Sequence, residues 1–191
     1  MQGIKKIFII GGLSEAGKST VGRYLDSKGI IRLKIVNFLR IIMEREDPDA
    51  DFREWQSNMI ENHSKWLWGQ FICELKKKIE EESIEYCVLE SLYRPSLAEA
   101  LRRVFGGRLV IVYVDIPQKI RLKRQIIRQN LRSIEEAKEY LLPRDKDKIS
   151  WGALDIKKMA DYVIDNSGTI DQLYKRLDSL VEEECPELIH R

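Results

Sequence analysis

Residues 11–20 read GGLSEAGKST, directly after a short apolar run, IFII at 7–10, and directly before a helical pattern at 18–28. Within this segment Gly12, Gly17, Lys18 and Ser19 satisfy the spacing G-x-x-x-x-G-K-[ST]. A chance glycine turn would need four fixed residues and both flanking elements to coincide. The feature restricts the fold to an α/β chain in which a buried strand runs through a glycine turn into a helix. The glycines let the backbone curl so that successive N–H groups face one point. The helix N-terminus adds positive potential at that point. Gly12, Leu13, Ser14, Glu15, Ala16, Gly17, Lys18, Ser19 and Thr20 are therefore read as a cradle for the phosphates of ATP. Lys18 reaches the β- and γ-phosphates as a point charge, and the Ser19 hydroxyl is placed to ligate Mg²⁺. Thr20 reads mainly as a helix residue, and the Glu15 side chain is expected to face solvent.

The rest of the chain alternates short apolar runs with helical patterns, as α/β chains do. Strands are expected at 6–10, 30–33, 86–90, 109–115 and 161–164, making a five-stranded parallel sheet in a three-layer P-loop NTPase fold. The run LVIVYV at 109–114 is apolar throughout, as in a strand covered on both faces. Residues 51–83 read as a long helical insert. Trp55, Met59, His63, Leu67, Phe71, Leu75 and Ile79 recur every four positions along it. A kink or break is expected near His63, which reads as a hydrogen-bonded core histidine. A helix from Pro117 to about residue 131 precedes a second one. The second is capped by Ser133 with Glu136 as its capping-box partner, and Pro143 is expected to end it. A charged segment follows at 144–148, and a terminal helix at 169–184. Nothing in the composition marks a linker or a repeat. All 191 residues are read as one domain, with an acceptor-side insert at about 51–83 and a lid at about 121–148.

Charge and cysteine content narrow the setting. Lys and Arg total 33 against 31 Asp and Glu, a net charge of +2, without the dense basic arm that neutralises many nucleic-acid phosphates. No nucleic acid is expected as a partner. No apolar run approaches the roughly 20 residues needed to cross a bilayer, so no membrane is expected either. Cys73, Cys87 and Cys185 are widely spaced and match no metal or disulfide pattern. A cytoplasmic setting fits them, and His190 reads as part of a frayed tail. Monomer and homodimer are equally compatible with the sequence.

Two features point from phosphate binding to phosphoryl transfer. Arg121, Arg124, Arg128 and Arg132 follow the fourth strand at spacings that keep them near one helix face, and Arg144, Lys146 and Lys148 come after. Such a segment can close over a triphosphate and neutralise the transferring group. Carboxylates also stand at strand ends, where open α/β sheets bind ligands. Glu90 is read as a holder of Mg²⁺-bound water or an activator of an acceptor hydroxyl, and Arg94 as a grip on an anionic acceptor. Asp115 reads as a helix cap before Pro117. The absence of D-x-x-G and N-K-x-D elements disfavours a GTP switch protein.

With these residues in view, the chain resembles the nucleoside monophosphate kinase superfamily of P-loop kinases, and within it the dephospho-CoA kinases. IFIIGGLSEAGKSTVGRYL is similar to the opening of those enzymes. VYVDIPQKIRLKRQIIR is similar to their strand and arginine-bearing lid helix, and MADYVIDNSGTIDQL at 159–173 to their last strand and adenine-side turn. The resemblance implies that Arg121 and Arg124, with Arg128 beside them, act as lid arginines, and that Asn166, Ser167 and Gly168 lie near the adenine. It covers about residues 4–30 and 109–180. The middle departs: RLKIVNFLRII carries no acidic residue where dephospho-CoA kinases have one, and Asn37 and Arg40 stand there instead. The wider superfamily implies acceptor-phosphate binding by Arg40 and Arg94.

The leading reading is an ATP- and Mg²⁺-dependent phosphotransferase acting on a small phosphorylated acceptor. Lys18, Arg121, Arg124 and Glu90 would be its catalytic residues, Asn37, Arg40 and Arg94 its acceptor contacts, and Ser19 and Glu90 its metal contacts. The alternative is an ATP-binding regulatory protein derived from such a kinase, which has kept the loop and lost transfer.

Overall fold

The computed structural model describes residues 3–188; His190 lies outside them. Five parallel strands form one sheet in the order β2-β3-β1-β4-β5. They are β1 (Lys6–Gly11), β2 (Ile31–Lys34), β3 (Tyr86–Leu92), β4 (Leu109–Asp115) and β5 (Tyr162–Asp165). Every neighbouring pair is parallel. The central strand β1 is buried on both faces. Phe8 and Ile10 point to one side, and Ile7 and Ile9 to the other. Period-two alternation thus feeds two separate cores from one strand.

The first face is covered by α1 (Lys18–Ser27) and α9 (Ile170–Glu184). Val21, Leu25, Leu173 and Leu177 pack there against Phe8, Val110 and Val112. α9 opens on a full capping box, in which Thr169 and Gln172 satisfy each other's backbone N–H groups. The second face is larger. It carries α2 (Ile35–Glu46), α3 (Phe52–Asn62), α4 (Ser64–Glu81), α5 (Pro95–Phe105) and α8 (Ala153–Met159). Their apolar stripes meet through Phe38, Leu67, Phe71, Leu101 and Ile156. α6 (Gln118–Gln129) and α7 (Ile134–Ser150) pair beyond the strand ends around Leu122, Ala137 and Leu141.

Four expectations need correction. The helical stripe at 51–83 breaks at His63 as expected, but His63 is exposed at the α3–α4 junction and is no core residue. Pro143 does not end its helix: α7 runs on through it to Ser150. The missing N–H affects a solvent-facing turn, while the buried side, anchored at Leu141 and Asp145, keeps the helix together. Glu136 does not close a capping box with Ser133. Ser133 caps the Glu136 N–H, but the Glu136 carboxylate accepts from the N–H of Arg132. Asp115 caps no helix either; it accepts from Lys157 at 2.7 Å. Among the described residues, no helix is long and apolar enough to cross a membrane.

Candidate active site

The loop between β1 and α1 sits at the C-terminal end of the central strand, with neighbours on both sides. Gly12 has φ +140°, and a Cβ there would come within 2.7 Å of the Val114 carbonyl, so the loop can pass β4 only with glycine. Glu15 also adopts a left-handed φ, +57°, which a non-glycine residue adopts only at some cost. Its carboxylate does not simply face solvent: it pairs with Arg128 of α6 at 2.7 Å. Lys18 is buried and donates to the carbonyls of Gly12 and Leu13 at 2.8 and 2.7 Å. Burial, and then the neighbouring Lys148 ammonium, lower its pKa to about 7.

Three residues of α6 and α7 hold the loop from outside. Asp145 accepts from the Ser14 N–H at 3.0 Å, Arg121 donates to the Ser14 carbonyl at 3.2 Å, and Lys148 donates to the Ser14 hydroxyl at 2.7 Å. Arg121 and Asp145 also pair with each other, both almost fully buried. Arg121 therefore lies under the loop as a brace. Asn166 follows β5 and closes the far side, donating to the Ala16 carbonyl at 2.7 Å. Arg124 in turn donates to the Asn166 carbonyl at 2.8 Å.

Above the loop lies a cavity of about 680 Å³. Lys18, Ser19, Thr20, Arg124, Arg128 and Asn166 all face it, as do Ile170 and Leu173 of the α9 start. Gly168 is not on its wall; it packs against the Gln172 side chain. Ser19 is exposed toward this cavity beside Lys18, so its hydroxyl could hold a hard cation there. Glu90 is buried, and both its oxygens accept from Arg32, at 2.5 and 2.9 Å. The carboxylate rests against Gly22, where any side chain would collide with it. Gly22 is one turn beyond Ser19, so Glu90 stands behind the start of α1.

A second cavity, of about 1160 Å³, opens on the other side of β3. Arg40, Arg53, Arg94 and Arg144 line it against two acids, Asp51 and Asp147, and Leu39, Met43, Phe52, Trp68, Leu97 and Trp151 form much of its apolar wall. Arg40 stacks on Phe52 at 4.1 Å and Arg94 on Trp151 at 5.0 Å. Burial lowers the Arg94 pKa. Asn37 is not brought here; it faces a separate groove near Arg32 and Lys78.

The two cavities share three wall residues, Ser91, Tyr93 and Arg144. Ser91 is where the β1–β3 register slips: Ile10 faces Glu90 and Gly11 faces Leu92, leaving Ser91 as the extra residue. Its φ is +78°, a strained value at the junction of two cavities. Ser91 and Tyr93 lie in the segment ESLYRP and Arg32 opens RLKIVNFLRII, but no motif marks them individually. Asp145 stands out only as an acid inside the basic run RDKDK.

No protein-family profile matches the sequence. Among curated relatives, a UPF0200 protein of Saccharolobus islandicus is 23% identical over 181 residues, covering 93% of each chain. A UPF0200 protein of Thermoplasma volcanium is 24% identical, covering 92% of this chain and 96% of its own. Among solved structures, the dephospho-CoA kinase of Campylobacter jejuni superposes with a TM-score of 0.55 at 17% identity, over 95% of this chain and 98% of its own. The shikimate kinase of Acinetobacter baumannii gives 0.52 at 18% identity, over 96% and 94%. The fold is thus that of the P-loop kinases: a five-stranded parallel sheet with helices on both sides and the phosphate loop after its central strand.

Proposed function

We propose that this protein is an ATP-dependent small-molecule phosphotransferase. The observation that carries the reading is the pair of cavities that meet at Ser91, Tyr93 and Arg144. One has the phosphate loop as its floor; the other is lined by arginines and aromatic rings and suits an acceptor bearing an anionic group.

In this reading the triphosphate lies along the loop from Gly12 to Thr20. Lys18 holds its terminal phosphates, and Arg124 and Arg128 lie along the same cavity. The base occupies the side formed by Asn166, Ile170 and Leu173. Ser19 would hold Mg²⁺, which would supply charge neutralisation on the transferring group. Glu90 reaches a metal-bound water only by loosening its Arg32 clamp, so we assign it first to positioning the start of α1. Arg121 acts through the loop by bracing Ser14. Arg40 and Arg94 bind the acceptor's anionic group, and Arg144 spans acceptor and donor. Transfer then depends on positioning and electrostatic stabilisation more than on covalent chemistry by the protein.

The test is MgATP consumption against nucleoside monophosphates, deoxynucleotides, dephospho-CoA and shikimate, with Lys18→Ala as the control. Acceptor-dependent ADP that disappears in Lys18→Ala supports the reading. ATP binding with no acceptor-dependent ADP would favour instead a regulatory nucleotide-binding protein. The commitment of Arg121 to Asp145 and of Glu90 to Arg32 is the observation on that side.

A further inference from the structure

Among the described residues, the non-glycine positions with a left-handed φ are Glu15, Ser83, Ser91 and Asn130. Ser83 and Asn130 follow the ends of α4 and α6, where such a turn is common, and Glu15 belongs to the phosphate loop. Ser91 alone lies inside a strand, at the register slip of β3. Glycine holds a φ of this kind without strain, whereas a side chain adds cost. What serine brings to the position is one hydroxyl.

That hydroxyl stands at the junction. Ser91 is exposed, and it lines the cavity above the phosphate loop as well as the arginine-lined one. Its side chain meets the phenol of Tyr93, two residues on. The ring centre of Tyr93 is in turn 5.4 Å from the Lys18 ammonium, the group that holds the terminal phosphates in the proposed function. The other hydroxyls of the loop cavity are placed differently. The Ser14 hydroxyl accepts from Lys148, Ser19 and Thr20 belong to the floor on which the phosphates rest, and burial raises the pKa of the Tyr93 phenol. Glu90, the neighbour of Ser91 in the chain, is clamped by Arg32.

We propose that Ser91 is a self-phosphorylation site: when the acceptor cavity is empty, its hydroxyl takes the terminal phosphoryl group of the nucleotide bound to the same chain. The bond that forms is from Ser91 Oγ to the γ-phosphorus. The bond that breaks joins that phosphorus to the oxygen bridging the β- and γ-phosphates, so that ADP leaves. The hydroxyl proton passes to solvent, which reaches Ser91 directly. A loose phosphoryl-transfer transition state asks little activation of the attacking oxygen. The phosphoserine then stands on the wall shared with Arg144, where its negative charge would compete with an anionic acceptor. The inference rests on the nucleotide half of the proposed function and names no acceptor.

The experiment incubates the full chain with MgATP labelled in its terminal phosphate, without any acceptor, for the wild type, Ser91→Gly, Ser91→Ala and Lys18→Ala. Peptide mass spectrometry locates the label, and thermal melts follow folding. The wild type should acquire a single phosphate on Ser91, at a rate per chain independent of protein concentration. Both Ser91 variants should carry no more label than Lys18→Ala. Ser91→Gly, relieved of the left-handed side chain, should melt about 2–4 °C above the wild type; a lower Tm would remove the strain argument and overturn the proposal. Label on another hydroxyl, label that persists in Ser91→Gly, or a rate that rises with protein concentration would also overturn it. An unlabelled wild type that shows acceptor-dependent ADP formation would overturn this proposal and leave the proposed function standing. A wild type that binds no MgATP would overturn both. Label on Ser91 with no acceptor-dependent ADP would support self-phosphorylation and count against the small-molecule acceptor.

Discussion

At the scale of single residues, the site is governed by which charges are committed and which wait for a ligand. Lys18 waits. Its ordinary value of 10.5 is lowered to about 7, first by burial and then by Lys148. Between those two pH values the unfolded chain holds a proton that the folded, nucleotide-free chain has released. Lys18 therefore disfavours folding most at low pH, and its contribution to stability rises as pH climbs from about 7 toward 10.5. A bound triphosphate acts in the opposite sense, because it stabilises the ammonium. MgATP affinity should weaken as pH rises from about 7 to 9, and binding should take up close to one proton at about pH 8. Calorimetry in buffers of different ionisation enthalpy reads this uptake. Lys18→Arg, whose guanidinium stays charged, should bind with much less of it. Affinity independent of pH across this range would contradict the assignment. Glu90 is the committed counterpart. With both oxygens on Arg32 and almost no exposure, it would be left as an uncompensated buried charge by Arg32→Ala. That change should cost about 3 kcal/mol in a denaturant melt, whereas Arg32→Ala together with Glu90→Gln should recover part of it. The spacing around Lys18 made the loop legible from residues alone. The Arg32–Glu90 clamp was not legible, because it joins strand ends 58 positions apart and only the order β2-β3-β1 makes them neighbours.

At the scale of elements, α7 decides how the site works, and it is also where the sequence misled. Proline inside a helical pattern usually marks an end, and Pro143 reads that way. The helix continues because its buried face is held on either side of the proline. Leu141 packs against α6, and Asp145 is tied to Arg121 and Ser14. One continuous helix then delivers Arg144 to the junction, Asp145 to the loop backbone and Lys148 to the Ser14 hydroxyl. A broken segment would have delivered none of them in register. Pro143 is exposed, so Pro143→Ala restores a helical N–H without disturbing packing. It should stabilise the protein by about 1–3 kcal/mol, read as a rise in Tm. An unchanged or lower Tm would show that the turn around Pro143 is already relaxed. Strand positions, by contrast, were readable from apolar runs, most clearly at β1, β3 and β4, which are covered on both faces, whereas the edge strands β2 and β5 each bury one residue. The break at His63 was readable too, but the exposure of that histidine was not. The stripe's drift around the helix predicts burial at position 63 only if α3 and α4 are one rod, and they are two.

At the scale of the whole molecule, the sheet order brings two cavities together at the C-terminal end of β3, with Arg144 of α7 on both walls; the proposed function makes them the donor and the acceptor cavity. β1 and β5 supply the side read as the donor's, through the loop and Asn166. β3 with α2, α3 and α5 supplies the acceptor side, so Arg40 and Arg94 reach one cavity although 54 residues of sequence separate them, counted as 94 − 40. Asn37, only three residues from Arg40, lines another groove instead. This division makes a kinetic prediction. Arg40→Met and Arg94→Met should each raise KM for an anionic acceptor about tenfold or more while leaving MgATP affinity within about twofold, because each touches only the acceptor cavity. Arg144→Met should weaken both and lower kcat as well, because its side chain faces both cavities and would bear on the group in transit. The double variant Arg40→Met/Arg94→Met should show coupling, since the two share one cavity. Arg40→Met combined with Arg128→Met, on opposite sides of the junction, should be close to additive. Additivity in the first pair, or coupling in the second equal to it, would mean that the acceptor's anionic group is not held between Arg40 and Arg94, and that the broad arginine-lined cavity serves some other part of the acceptor.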